Sequence, residues 1–138
     1  MKYNSRLRYA IRALIALSME KKDVGLLQSE ISQRQNIPYN ILDSIIAQLK
    51  KNELVKNLKG KSSGYVLVKE IKDITMLEIF KSFSEDFIAL PCIKDNCENA
   101  AECQSEYFWF EFNSTIVSYL QSVTLNDVVN KKIGVPEA

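Results

Sequence analysis

The chain has 138 residues, 46% of them hydrophobic and 25% charged, which suits a single domain able to bury an adequate core. The formal net charge of +1 hides an asymmetry: residues 1–72 carry 14 Lys and Arg against 6 Asp and Glu, net +8, while residues 73–138 carry 4 against 11, net −7. Histidine is absent, which excludes His-based acid–base catalysis, a Ser-His triad and imidazole-dependent zinc patterns, and three cysteines cannot all pair within one chain, leaving metal or redox chemistry open.

Residues 3–19 set Leu7, Ala10, Ile11, Leu14 and Leu17 on one face at spacings of three and four, predicting a first amphipathic helix. Arg6, Arg8 and Arg12 interrupt this stretch, so it does not read as an export signal. No segment approaches the roughly 18 apolar residues of a membrane span, and the expected location is the cytoplasm. After the break at Gly25, a short helix is predicted from about Gln28 to Gln35 with Ile31 inward. Asn36 suits a turn, Pro38 suits a helix start, and Ile41, Leu42, Ile45, Ile46 and Leu49 continue a helical stripe to about Asn52.

Two short helices separated by about three turn residues form a helix-turn-helix signature. Leu54 to Leu58 alternates as a strand, Lys59 to Gly64 reads as a polar turn, and Tyr65 to Val68 reads as a second strand, together a basic wing. Thr75-Met76-Leu77-Glu78 has the capping-box form and starts a helix to about Phe83. Residues 90–104, with Pro91, have no helical or strand period and read as a loop whose fixed points are Cys92, Cys97 and Cys103. Phe108, Trp109, Phe112, Ile116, Tyr119 and Leu120 mark a helix too apolar to stand alone on a surface. Thr124 to Asp127 offers another capping box, before a tail from Lys131 that reads as frayed. The fold class is therefore mainly α with a small β-hairpin, divided into a DNA-binding winged helix over 1–72 and a sensor loop with helices over 73–138, one compact unit.

The pattern resembles the bacterial winged-helix regulators that include IscR, NsrR and CymR, and is closest in layout to the iron-sulfur regulator IscR. The resemblance spans nearly the full chain. It is carried by Arg8-Tyr9-Ala10 with Arg12-Ala13-Leu14, Glu30 to Gln35, Leu49-Lys50-Lys51 to Leu54-Val55, Gly60 to Gly64-Tyr65, and the cysteine trio. It implies a transcription regulator, a homodimer crossed by the helix over Ser105 to Gln121, and a double-stranded DNA operator as partner.

The residues near the start of the third helix, Tyr39, Asn40, Asp43 and Ser44, are those that would face base edges. Asn40 can read adenine and Asp43 can accept from cytosine N4, although Asp43 also simply favours a helix N-terminus. Where the family commonly presents an arginine to the minor groove, this chain has Lys59; Lys56 and Lys61 are assigned to phosphates.

The spacing Cys92-x4-Cys97-x5-Cys103 differs from the CxxC pairs of zinc ribbons and fits the family's cluster loop. Three soft thiolates leave one coordination position open. In the two-iron branch a histidine lies three residues after the last cysteine, and Glu106 occupies that position here; in the four-iron branch an aspartate stands where this chain has Arg8. The resemblance thus implies an iron-sulfur cluster, two-iron ahead of four-iron, with Glu106 ranked first as fourth ligand, although an acidic residue there also simply favours a helix N-terminus after a Ser105 cap. The alternatives are unligated, redox-active thiols, and zinc held by the cysteines and Glu106. A cysteine-dependent enzyme is the reading from another class, but the chain has no CxxC, no histidine and too few glycines, four, for a phosphate loop, and the expectation is no enzyme.

Overall fold

The computed structural model describes residues 5–59, 64–83 and 102–131. Helix α1 (Ser5–Ser18) buries Leu7, Ala10, Ala13, Leu14, Ala16 and Leu17. Three of these six are alanines, and their small side chains let α2, α3 and α4 approach the same helix, which becomes the centre of the core.

Helix α2 (Gln28–Gln35) begins where the Leu27 amide donates to the Glu30 carboxylate at 3.1 Å. It ends at Asn36, whose φ of 52° places it in the left-handed region that asparagine tolerates. The turn is knitted twice: the Ile37 amide donates to the Ser32 carbonyl at 3.1 Å, and the Ser32 hydroxyl donates to the Ile37 carbonyl at 2.6 Å. Pro38 then leads into α3 (Tyr39–Lys51), whose buried face is Leu42, Ile45, Ile46 and Leu49.

Strands β1 (Val55–Asn57) and β2 (Tyr65–Leu67) pair antiparallel, with Val55 opposite Leu67, Lys56 opposite Val66 and Asn57 opposite Tyr65. Both are shorter than the sequence pattern suggested, and Val68 lies beyond the ladder, its amide donating to the Leu54 carbonyl. Leu26 adds an isolated antiparallel bridge to β2, exchanging hydrogen bonds with Tyr65 at 3.0 and 2.6 Å. Two glycines make this possible. A Cβ on Gly64 would sit 2.7–2.8 Å from the Leu26 backbone, and Gly25, at φ +66°, would drive one to 2.9 Å from both Leu58 and the Tyr65 carbonyl.

A single 3-10 turn (Ile71–Asp73) precedes α4 (Met76–Phe83). The expected capping box is present: the Glu78 amide donates to the Thr75 hydroxyl at 3.2 Å, and the Thr75 amide donates to the Glu78 carboxylate at 3.0 Å. Helix α5 (Glu106–Ser122) returns along α4, and α6 (Leu125–Val129) starts with the second expected box, Thr124 and Asp127 bonded reciprocally at 3.2 and 2.9 Å. The Met76 amide to the Val123 carbonyl and the Leu125 amide to the Ile74 carbonyl, both 2.8 Å, tie the start of α4 to the end of α5. One buried cluster runs from α1 through α3 and the hairpin to Ile74, Ile79, Leu120 and Leu125. Among the described residues no helix is long and apolar enough to cross a membrane. The residues after Lys131, read from sequence as a frayed tail, lie outside the described residues.

Candidate nucleic-acid interface and thiol site

The periodicity that buries Leu42, Ile45, Ile46 and Leu49 turns Tyr39, Asn40, Asp43 and Ser44 outward, and all four are exposed. Tyr39, at 56% exposure, is a large ring with no packing role that explains its place. The first turn of α3 is held from α2: Gln28, buried to 8% exposure, donates its side-chain amide to the Tyr39 carbonyl at 3.3 Å. Sequence reasoning missed Gln28, because a polar residue opening a polar helix carries no local sign that it points inward.

Ser44 donates its hydroxyl to the Ile41 carbonyl at 3.0 Å and receives Arg6 Nη2 at 3.5 Å. The Arg6 guanidinium also lies 5.8 Å from the centre of the Phe83 ring. On the hairpin, Lys56 is exposed next to buried Val55, as alternation along a strand allows, and Lys59 is exposed at the end of the described part of the wing. Lys61 lies outside the described residues. Lys50, in the last turn of α3, sits 5.9 Å from the Tyr65 ring. Cations thus stand beside α3, Arg6 against its second turn and Lys50 in its last.

Of the cysteine trio, Cys92 and Cys97 lie outside the described residues and Cys103 is a half-buried free thiol. Its Sγ is 3.2 Å from the Ser105 hydroxyl. The Ser105 hydroxyl first, then the Ser105 amide against the cost of burial, then the Glu106 amide against the Glu106 charge, hold its pKa below the usual thiol value. The expected Ser105 cap of α5 is corrected here: Ser105 makes no side-chain bond to the helix, because its hydroxyl faces Cys103 instead. Glu106 is half-buried in the first turn of α5, and Arg8 is exposed on α1. Among the described residues no three metal-ligating side chains gather.

Along α5 only Leu120 is buried, while Tyr107, Phe108, Phe110, Phe112 and Tyr119 are exposed, Tyr107 to 77%. Phe108 stacks on Phe112 at 5.9 Å, and Trp109 meets both edge-on at 5.0 and 6.0 Å.

A helix-turn-helix carrying a polar exposed face, followed at once by a lysine-bearing hairpin, defines a winged-helix DNA-binding transcription regulator rather than an enzyme. The chain belongs to the Rrf2 family, described as iron-dependent transcriptional regulators, whose profile matches residues 3–131. A Haemophilus influenzae protein named as an HTH-type transcriptional regulator is 31% identical over 133 residues, covering 96% of this chain and 89% of its own. Among solved structures, IscR of T. potens has a TM-score of 0.73 at 24% identity, covering 100% of this chain and 93% of its own. CymR of B. subtilis, the global cysteine regulator of that organism, has a TM-score of 0.78 at 24% identity, covering 95% and 98%.

Proposed function

We propose that this protein is a homodimeric regulator that binds a double-stranded operator and reports iron-sulfur or redox status through Cys92, Cys97 and Cys103. The observation that carries the proposal is a winged helix with an outward polar face on α3 joined to a Cys103 thiol held at the start of α5, its Sγ 3.2 Å from the Ser105 hydroxyl. Thiolate is the form that ligates iron, so the one cysteine among the described residues fits an iron-sulfur group. The family description as iron-dependent points the same way.

In this reading Cys92, Cys97 and Cys103 hold the group and Glu106, three residues after the last cysteine, supplies the fourth ligand, the two-iron form being favoured. When bound, the group supplies an oxidisable centre whose state can be read as a signal. In this reading the group would be held beside the first turn of α5, next to Cys103 and Glu106. Phe108, Phe112 and Tyr119, exposed on one side of α5, meet their counterparts in a second copy, because unpartnered exposed rings are costly in water. The two copies of α3 then enter successive major-groove segments, with Asn40 and Asp43 at base edges, Tyr39 beside them, Lys59 of the wing toward the minor groove, and Lys56 and Lys61 toward phosphates. Such a regulator works in the cytoplasm, where its DNA is.

Anaerobic purification followed by an absorption spectrum and iron and sulfide analysis tests the proposal. The expected result is a coloured protein with roughly two irons and two sulfides per subunit. A colourless, iron-free protein that binds its operator at full affinity would leave only a cluster-free thiol sensor, and bound zinc without sulfide would show a different metal.

A further inference from the structure

We infer that Arg6 is a phosphate contact of this regulator, presented from the first helix and positioned by Ser44 and Phe83. Arg6 lies in the first turn of α1, Ser44 in the second turn of α3 and Phe83 at the end of α4, so one guanidinium touches three helices. It is nevertheless exposed, and among the described residues no carboxylate pairs with it.

An exposed arginine ordinarily samples many rotamers, and holding it in one costs side-chain entropy. Here the ring of Phe83 supports the guanidinium and the Ser44 oxygen accepts from one Nη, at 5.8 and 3.5 Å. The remaining donors of the fork stay available, in a group already ordered before DNA arrives. A planar, preorganised fork beside the recognition helix matches the two oxygens of a phosphate on the groove wall.

The arrangement also reassigns Ser44. Its single proton is committed to the Ile41 carbonyl and one lone pair receives Arg6, so the hydroxyl has no donor left for a base edge. Ser44 acts through Arg6 as a positioning residue. The inference deepens the proposed operator reading and rests on α3 lying against DNA.

The test compares two probes: a duplex selected by the native protein from a random-sequence pool, and a short mixed-sequence duplex. Arg6→Gln should lower the slope of log affinity against log salt by about 0.9 for each Arg6 engaged, on both probes alike. Arg6→Lys keeps the charge and should restore most of the slope. Ser44→Ala should weaken both probes equally, a loss of positioning rather than of base reading. Lys72→Gln, on the 3-10 turn packed against α6, removes one charge elsewhere and should leave the slope unchanged. An unchanged slope in a folded Arg6→Gln protein overturns the inference, as does an equal drop in Lys72→Gln. A Ser44→Ala loss confined to the selected duplex would return Ser44 to base reading and overturn its positioning role. Asn40→Ala separates the two levels: if it lowers selectivity while Arg6→Gln changes nothing, α3 still reads DNA and only the Arg6 contact fails.

Discussion

The side-chain amide of Gln28 reaches the main-chain carbonyl of Tyr39 at 3.3 Å, so α2, the first helix of the motif, fixes the first turn of α3, the proposed recognition helix. Gln28→Leu keeps the volume and removes that bond. It should cost about 1 kcal/mol in urea unfolding. Operator affinity should fall further than mixed-sequence affinity, because base contacts demand orientation and phosphate contacts demand it less. Equal losses on the two kinds of DNA would show that Gln28 serves stability alone.

Gly64→Ala should be among the most damaging single-methyl changes in the wing. The new Cβ would lie within 2.8 Å of three Leu26 backbone atoms, and backbone yields less readily than a side chain. The expected loss is about 1–3 kcal/mol, seen as a lowered urea midpoint with the same slope. A variant as stable as the native protein would show that the hairpin and Leu26 are not packed this closely.

Glu78 carries a pH-dependent share of stability. Burial pushes its pKa up, but the bond to Lys69 and the Thr75 amide and hydroxyl outweigh this, and the net direction is down. A carboxylate with a depressed folded pKa stabilises above its unfolded value of about 4.3, and that contribution disappears as pH falls through the folded pKa. Glu78→Gln keeps a capping-box residue but loses the charge that faces Lys69, and after solvent screening should be less stable by about 0.5 kcal/mol at neutral pH, with the gap closing in acid. A gap that is constant from neutral pH down to acid would contradict the assignment.

The helices were legible because each keeps one face buried: Leu7, Leu14 and Leu17, then Leu42, Ile45 and Leu49, repeat at helical spacing and all are core residues. The two capping boxes were legible for the same reason, being local and chemically explicit. What escaped was long-range. Arg6 meets Ser44 across 38 residues, and nothing in either segment announces the other. Ser105 read as a cap because serine is a good one; the sulfur two residues earlier competes for its hydroxyl. Cys92, Cys97 and Lys61 were named from the sequence and fall outside the described residues, so their roles rest on the proposal.

The exposed rings of α5 predict self-association. Phe108→Lys, at a site 56% exposed in the single chain, should add a charge to the side of α5 proposed to meet a second copy, and shift sedimentation from dimer toward monomer. A native protein that sediments as a monomer at micromolar concentration would contradict the dimer.

The most direct measurement of the central claim is operator affinity of one anaerobic preparation before and after iron is removed by chelation, alongside Cys103→Ala. The account predicts that chelation bleaches the native protein and changes its affinity at least severalfold. Cys103→Ala should start colourless and already at the chelated value. Equal affinities for native, chelated and Cys103→Ala protein would contradict a cysteine-held signal that controls DNA binding.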